Sequence, residues 1–243
     1  MKKNSNFLNY EFVVDNENKL NFKRLENTFI PTGTSAVLFN AIKHYKFKPG
    51  KTLDLGAGIG VIGLLLFKFN LAQTPLYASD LSADSVQCII KNAQNYNCPI
   101  VCKLGSMFEP WENEKFDLII NDISGVSQEV AEISPWFNNV PCESGSDGTK
   151  LTNEILFNAP KFLNDDGLFF FPIISLSNTE KILSEANKNF KHVKELERKE
   201  WPLPKEMQKY ISKLEKLRER KLIEFKNKFG ITIFNTSVYV AFN

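Results

Sequence analysis

A doubly wound α/β sheet of seven strands is what this sequence predicts, and three observations carry the prediction. From Thr52 to Ile174, short apolar runs of strand length alternate with longer runs at helical spacing. The first of these strands, Thr52-Leu53-Asp54-Leu55, gives way to glycines at 56, 58 and 60 before an apolar helical run resumes at Val61. That order reads as strand, tight turn, helix, with a backbone free to turn sharply and unpaired N–H groups at the helix start. The next strand, Leu76-Tyr77-Ala78-Ser79-Asp80, ends in an acid 20 residues after Gly60, where the second strand of a βαβ unit should end.

At 243 residues the chain is long enough for one large domain with a sizeable core. Its 43% hydrophobic and 24% charged content are those of an ordinary soluble protein, and a net charge of +2 excludes a strong global field. Charge is less even locally. Residues 191–228 hold 13 Lys/Arg against seven Glu, a stretch that reads as a solvated helix face or a local basic surface. The N-terminus, Met1-Lys2-Lys3-Asn4-Ser5-Asn6, leads into no uninterrupted apolar segment, so no signal peptide is expected. The longest apolar run, Leu168 to Leu176, is broken by Pro172 and is too short to span a bilayer. Cys88, Cys98, Cys102 and Cys142 lack zinc-site spacing, and His44 and His192 are far apart, so reduced thiols, no metal and a cytoplasmic location are expected.

Taken in order, residues Asn9 to Arg24 alternate around a polar turn and predict a β-hairpin, an extension over residues 1–30 ahead of a domain at 31–243. Thr34 or Ser35 is a suitable N-cap for the helix that follows. After the glycines come a buried helix over Val61 to Phe69, a helix over Ser82 to about Tyr96, a strand over Pro99 to Leu104 and a strand over Phe116 to Ile120. Beyond the end of that strand lies an irregular stretch of roughly twenty residues, the length of a binding loop or lid. Lys150 to Leu163 reads as a helix, Asn164 to Gly167 as a turn, and Leu168 to Ile174 as the fifth strand. A helix over Asn178 to Phe190, an edge strand over Val193 to Glu200, an inserted amphipathic helix over about 204–229 and a last strand over Ile231 to Phe242 complete the chain. The inserted helix would carry an apolar stripe of Met207, Ile211, Leu214, Leu222, Phe225 and Phe229.

Two nucleotide readings compete for the glycine loop. Gly58-Ile59-Gly60-Val61-Ile62-Gly63 satisfies the dinucleotide pattern, with Asp80 as the ribose acid, but has no use for the acid before the glycines. The wider string Leu53-Asp54-Leu55-Gly56-Ala57-Gly58-Ile59-Gly60 resembles the first motif of class I S-adenosylmethionine (SAM) methyltransferases, which have a Rossmann-like fold. Phe29-Ile30-Pro31-Thr32-Gly33-Thr34-Ser35 resembles the segment leading into the "small" methyltransferase group of glutamine N5- and rRNA or tRNA base methyltransferases. Glu143 to Thr149 and Ile155 to Leu163 are similar to the glutamine methyltransferases between strands four and five.

This resemblance implies SAM as cofactor, held by Thr32, Asp54, Gly56, Ala57, Gly58 and Gly60, with Asp80 on the ribose, Leu81 against the adenine, Ser106 at its edge, and Met107 and Asn121 also among the cofactor-binding residues. Asn121 would orient the acceptor nitrogen, and Asp122 is a candidate hydrogen-bond acceptor or general base, or else a loop cap. Ser124, Glu143 and Asp147 are candidate acceptor contacts. One departure stands out. Where the group has Asn/Asp-Pro-Pro-Tyr/Phe at the end of strand four, only Asn121 matches, and Asp122, Ile123 and Ser124 replace the two prolines and the aromatic. The implied acceptor is a protein side chain or an RNA base rather than a small molecule, with no membrane partner. A small-molecule methyltransferase and a SAM-binding protein without turnover are the other classes.

Overall fold

The computed structural model describes residues 6–15, 18–123, 125–137 and 142–243. Strands β3 (Thr52–Leu55), β4 (Leu76–Asp80), β5 (Ile100–Leu104) and β6 (Phe116–Asn121) pair in parallel, and β7 (Leu163–Ile174) joins β6 in parallel. Two further strands, β8 (His192–Pro202) and β10 (Ile231–Phe242), give the sheet order β5-β4-β3-β6-β7-β10-β8, with β10 antiparallel to both neighbours. A three-residue strand, β9 (Lys226–Lys228), adds a short ribbon to β10. The expected doubly wound, seven-stranded sheet is present, and the order of its strands reverses between β3 and β6.

Helices cover both faces. Helices α1 (Gly33–His44), α2 (Val61–Lys68) and α3 (Ala83–Asn95) bury Leu38, Phe39, Ile42, Leu65 and Leu66 in one core layer. The opposite layer is built from α5 (Lys150–Asn158), α6 (Thr179–Asn189) and a 3₁₀ turn that buries Trp111. Because both faces are covered, strand β3 is buried at every position, Thr52 and Asp54 included, so its polar-apolar alternation marks no solvent-facing side. Trp111 is pinned by an Nε1–H donated to Ser79 Oγ at 2.9 Å, and its ring meets Tyr77 and Phe116 edge-on.

The hairpin of β1 (Leu8–Val13) and β2 (Lys19–Arg24) is a separate two-stranded sheet. Its alternate residues Phe12, Leu20 and Phe22 point into the same core as α1 to α3. Asn92, fully buried on α3, accepts the Lys23 N–H at 2.6 Å and donates to Lys23 O at 2.8 Å and Ile59 O at 2.9 Å. One side chain thus ties the hairpin to the glycine loop.

Some local expectations change. The N-cap of α1 is Thr32, whose hydroxyl accepts the Thr34 N–H at 3.3 Å, rather than Thr34 or Ser35. The long stretch after β6 contains a four-residue helix, α4 (Gln128–Ala131). Residues 164–167, expected as a turn, lie inside β7 instead: Leu163, expected to end a helix, already pairs with Phe116, and the register shifts before Leu168 meets Leu118. The single helix expected over 204–229 is instead α7 (Lys205–Gln208), α8 (Ile211–Glu219) and β9. Phe229 leaves the apolar stripe altogether. It sits at positive φ beside Gly230 in the β9–β10 turn and is 95% exposed.

Candidate active site

The cleft that opens beyond the carboxyl ends of β3, β4 and β6 lies at the point where the strand order reverses, the place where open α/β sheets bind ligands. Asp54, Asp80 and Asp122 line it together with Gly56, Ala57 and Gly58. Each acid comes from the end of a different parallel strand, so the sheet alone brings together residues far apart in the chain.

The glycine turn is shaped by two constraints. Gly56 has φ +64, and a Cβ there would come within 2.3 Å of Ile123 Cδ1, so Ile123 lies directly over the turn. Gly60, at φ +83, hands the chain to α2, which has no side-chain cap. Asp54 fills that gap from below: its Oδ2 accepts the Gly63 N–H at 2.8 Å. Its other oxygen is buried without a partner among the described residues. Burial, reinforced by the nearby Asp122 and Asp80 carboxylates and opposed by the Gly63 hydrogen bond, pushes the Asp54 carboxyl up to about 7.

Asp80 accepts the Gly58 N–H at 2.8 Å on Oδ2 and the Ser82 N–H at 2.9 Å on Oδ1, which couples the end of β4 to the glycine turn. Burial raises its carboxyl above the ordinary range against those hydrogen bonds. Asp122 accepts a 2.5 Å hydrogen bond from Ser35 Oγ, and burial pushes its carboxyl up to about 7 despite that bond. No Lys, Arg or His is among the described residues lining the cleft. Three carboxyl groups therefore face one space with no basic side chain among the described residues lining it.

The other expected site residues divide. Asn121 is fully buried; its Oδ1 accepts the Ile123 N–H at 3.2 Å, its Nδ2 has no partner among the described residues, and it stands behind the cleft wall rather than in it. Leu81 is 75% exposed, and neither it nor Ser106 nor Met107 lines the cleft. Thr32 lines a neighbouring pocket instead. Glu143 is exposed and outside both cavities. Asp147 is outside them too, tied to the Thr149 N–H and hydroxyl and to Lys181 Nζ at 2.8 Å. Burial pushes its carboxyl up, but those bonds outweigh burial and hold it below the usual range. Ser124 lies outside the described residues. In exchange, the fold brings Ser35, Ile123, Phe137, Cys142 and Ser144 into the lining. Sequence offered no periodic signal for them, because they sit in loops or at a helix start.

Comparison with known proteins follows the same geometry. Residues 28–122, which run from the segment before α1 through the glycine turn to Asp122, match the family model described as the methyltransferase small domain. This segment is similar to that domain. Around it the chain is similar to a release factor glutamine methyltransferase of Geobacter sulfurreducens, 26% identical over 156 residues that make up 61% of this chain and 54% of that one. It is also similar to a ribosomal protein uL3 glutamine methyltransferase of Neisseria meningitidis, 27% identical over 140 residues, covering 55% of this chain and 45% of the relative. The chain thus spans about half the length of the curated relatives it matches. Among solved structures, a T. thermophilus 16S rRNA N2 methyltransferase in complex with AdoMet and guanosine superposes with a TM-score of 0.62 over 98% of this chain and 51% of that one. At 13% identity that likeness shows the fold. Around the matched segment, the sheet order and the antiparallel β10 complete the seven-stranded arrangement.

Proposed function

We propose that this protein is a SAM-dependent methyltransferase acting on a nitrogen of a macromolecular acceptor, a protein side chain or an RNA base. The observation that carries the cofactor is the charge of the cleft. SAM has a net positive charge, whereas a dinucleotide would place its anionic pyrophosphate at the glycine turn, against Asp54 and Asp122. The family match and the glutamine methyltransferase relatives support the same reading, and the macromolecular acceptor rests on them.

The residues present fit such a group. The unpartnered Asp54 Oδ1 and the turn around Gly58, where a Cβ would meet nothing within 4 Å, leave a buried acceptor and open space for a cationic ligand. Asp54 and the Gly56–Gly60 backbone would hold the methionine end, and the remaining lone pairs of Asp80 would accept the ribose hydroxyls. When bound, SAM supplies a methyl group on a good leaving group, so the chain's own task is alignment, exclusion of water and handling of the acceptor's proton. Asp122 suits the last task. Its carboxylate faces the cleft, Ser35 fixes one oxygen, and a carboxyl raised toward neutrality is a better base than an ordinary aspartate. Asn121 orients the Asp122–Ile123 backbone from behind the wall rather than touching the acceptor.

Calorimetric titration with SAM and with NADH tests this. Saturable SAM binding, weakened at least about tenfold in Asp80→Ala, is the expected result, since a ribose hydroxyl–carboxylate bond is worth about 1.5–3 kcal/mol. Preference for NADH, or no SAM binding, would overturn it.

A further inference from the structure

A second pocket adjoins the cleft, and its lining differs in kind. Phe29 and Phe137 belong to both cavities and form the partition between them, with ring centroids 5.6 Å apart. Beyond that partition the walls are Trp136, Trp201 and Phe234 with Pro202 and Pro204, and no charged side chain is among the described lining residues. Trp201 is held in place. Its Nε1–H donates to Thr236 Oγ1 at 3.1 Å, which in turn shares a hydrogen bond with Thr34 Oγ1 at 3.3 Å. Its ring lies across the start of α1, so close to Gly33 that a Cβ there would fall 2.6 Å from Cη2. Phe234 is the cross-strand partner of Trp201, and Trp136 packs on it with centroids 5.5 Å apart.

We propose that this pocket seats the methyl acceptor, and that the acceptor group is a planar, uncharged aromatic ring. This rests on the methyl-transfer reading of the adjoining cleft. A lining made largely of aromatic rings and prolines, with no charged side chain among the described residues, favours a flat aromatic guest that stacks on a ring over a compact aliphatic or amide group. The polar side-chain atoms already have partners: Thr32 Oγ1 accepts the Thr34 N–H, and Thr34, Thr236 and Trp201 satisfy one another. A buried carboxamide would therefore find its hydrogen-bonding groups short of partners, whereas a ring buries mostly carbon. Position adds to this. Ser35 and Asp122 stand on the cleft side of the same partition, so a ring seated here would turn its edge toward the carboxylate that Ser35 holds. A free heterocycle and a nucleoside share this chemistry.

The test is a titration of the full chain, saturated with S-adenosylhomocysteine, with quinoline, guanosine and N-acetylglutamine amide in turn, followed by calorimetry and by quenching of tryptophan fluorescence. At least one ring should bind, with affinity falling about tenfold or more in Trp136→Ala and largely recovering in Trp136→Phe. S-adenosylhomocysteine affinity should change less than about twofold in either variant, because Trp136 lies outside the cleft. The tighter of quinoline and guanosine identifies the source of the ring. N-acetylglutamine amide binding as tightly as either ring, or ring affinity unchanged in Trp136→Ala, would overturn the proposal. If S-adenosylhomocysteine itself fails to bind, the methyl-transfer reading falls. The ring titrations, run without it, still report on the pocket.

Discussion

Asp54 and Asp122 are the residues whose chemistry the fold changes most. Both carboxyls are pushed up to about 7, each first of all by burial. In the folded chain they keep protons that the unfolded chain loses near pH 4, so between those values the folded state binds more protons. Stability of the ligand-free protein should therefore fall as pH rises from about 4 to about 7, and level off above. A thermal-unfolding series across that range should show the slope, flatter in Asp122→Asn. The same protons oppose a cationic ligand, so SAM affinity should rise from pH 6 to pH 8 by up to about tenfold per unit for each proton displaced. The turn glycines differ from one another. Gly56→Ala meets both positive φ and Ile123, whereas Gly58→Ala meets only positive φ. Gly58→Ala should cost about 1 kcal/mol and Gly56→Ala clearly more, with the difference recovered in Gly56→Ala/Ile123→Ala. A double-mutant cycle by urea unfolding measures this.

At the scale of elements, the hairpin is coupled to the cofactor cleft through α3. Asn92 makes three buried hydrogen bonds, two to Lys23 of β2 and one to Ile59 of the glycine turn. Asn92→Leu should destabilise the fold by about 2–5 kcal/mol, since it leaves buried backbone groups unpaired, and should weaken SAM binding as well. Phe22→Ala, which empties the hairpin's deepest position, should cost a similar amount, about 3–5 kcal/mol, with a smaller effect on the ligand. Chemical denaturation alongside calorimetry separates the two. The periodicity of residues 9–24 made this hairpin legible, but nothing local in sequence could indicate that Asn92 holds it. The helix expected over 204–229 failed for a related reason. Its apolar residues do recur at helical spacing, yet Leu203, Met207, Leu214 and Leu217 reach the core beside Val126 and Val130 only if the chain bends, and the segment from Lys226 gains ladder hydrogen bonds from β10.

For the whole molecule, the basic stretch near the C-terminus is less available than its composition implied. Lys213 lies 3.5 Å from Glu129 and 3.3 Å from Glu132, Arg220 reaches Glu129, and Lys228 reaches Glu200. These exposed pairs are worth about 0–1 kcal/mol each, so Lys213→Ala should leave the unfolding midpoint within about 2–4 °C of the parent. Ligand linkage acts on the entire fold, because the cleft is built from three strands and the α1 start. SAM at a hundred times its dissociation constant should stabilise the protein by about 2.7 kcal/mol, visible as a rise in melting temperature, while NADH at equal concentration should give none.

The strands and helices around the glycine turn were legible because each signal is local: an apolar run of the right length, glycines where φ must be positive, an acid at a strand end. Residues Leu76–Asp80 stand as a strand with the ends expected, and the strand expected over Phe116 to Ile120 runs one residue further, to Asn121. The resemblance of Asp54, the glycines and Asp80 to one family also pointed to one cleft, and Asp54, Gly56, Gly58 and Asp80 line it, whereas Gly60 does not. What tertiary structure alone decided is which side chains face that cleft. Asn121 and Asp122 are neighbours in sequence, yet successive residues leaving a strand point opposite ways, so one is buried behind the wall and the other opens to the cleft. The Ser35–Asp122 bond and the Phe29–Phe137 partition each join segments about ninety or more residues apart. Such pairings follow from the order in which the sheet places its strands, and from no spacing along the chain.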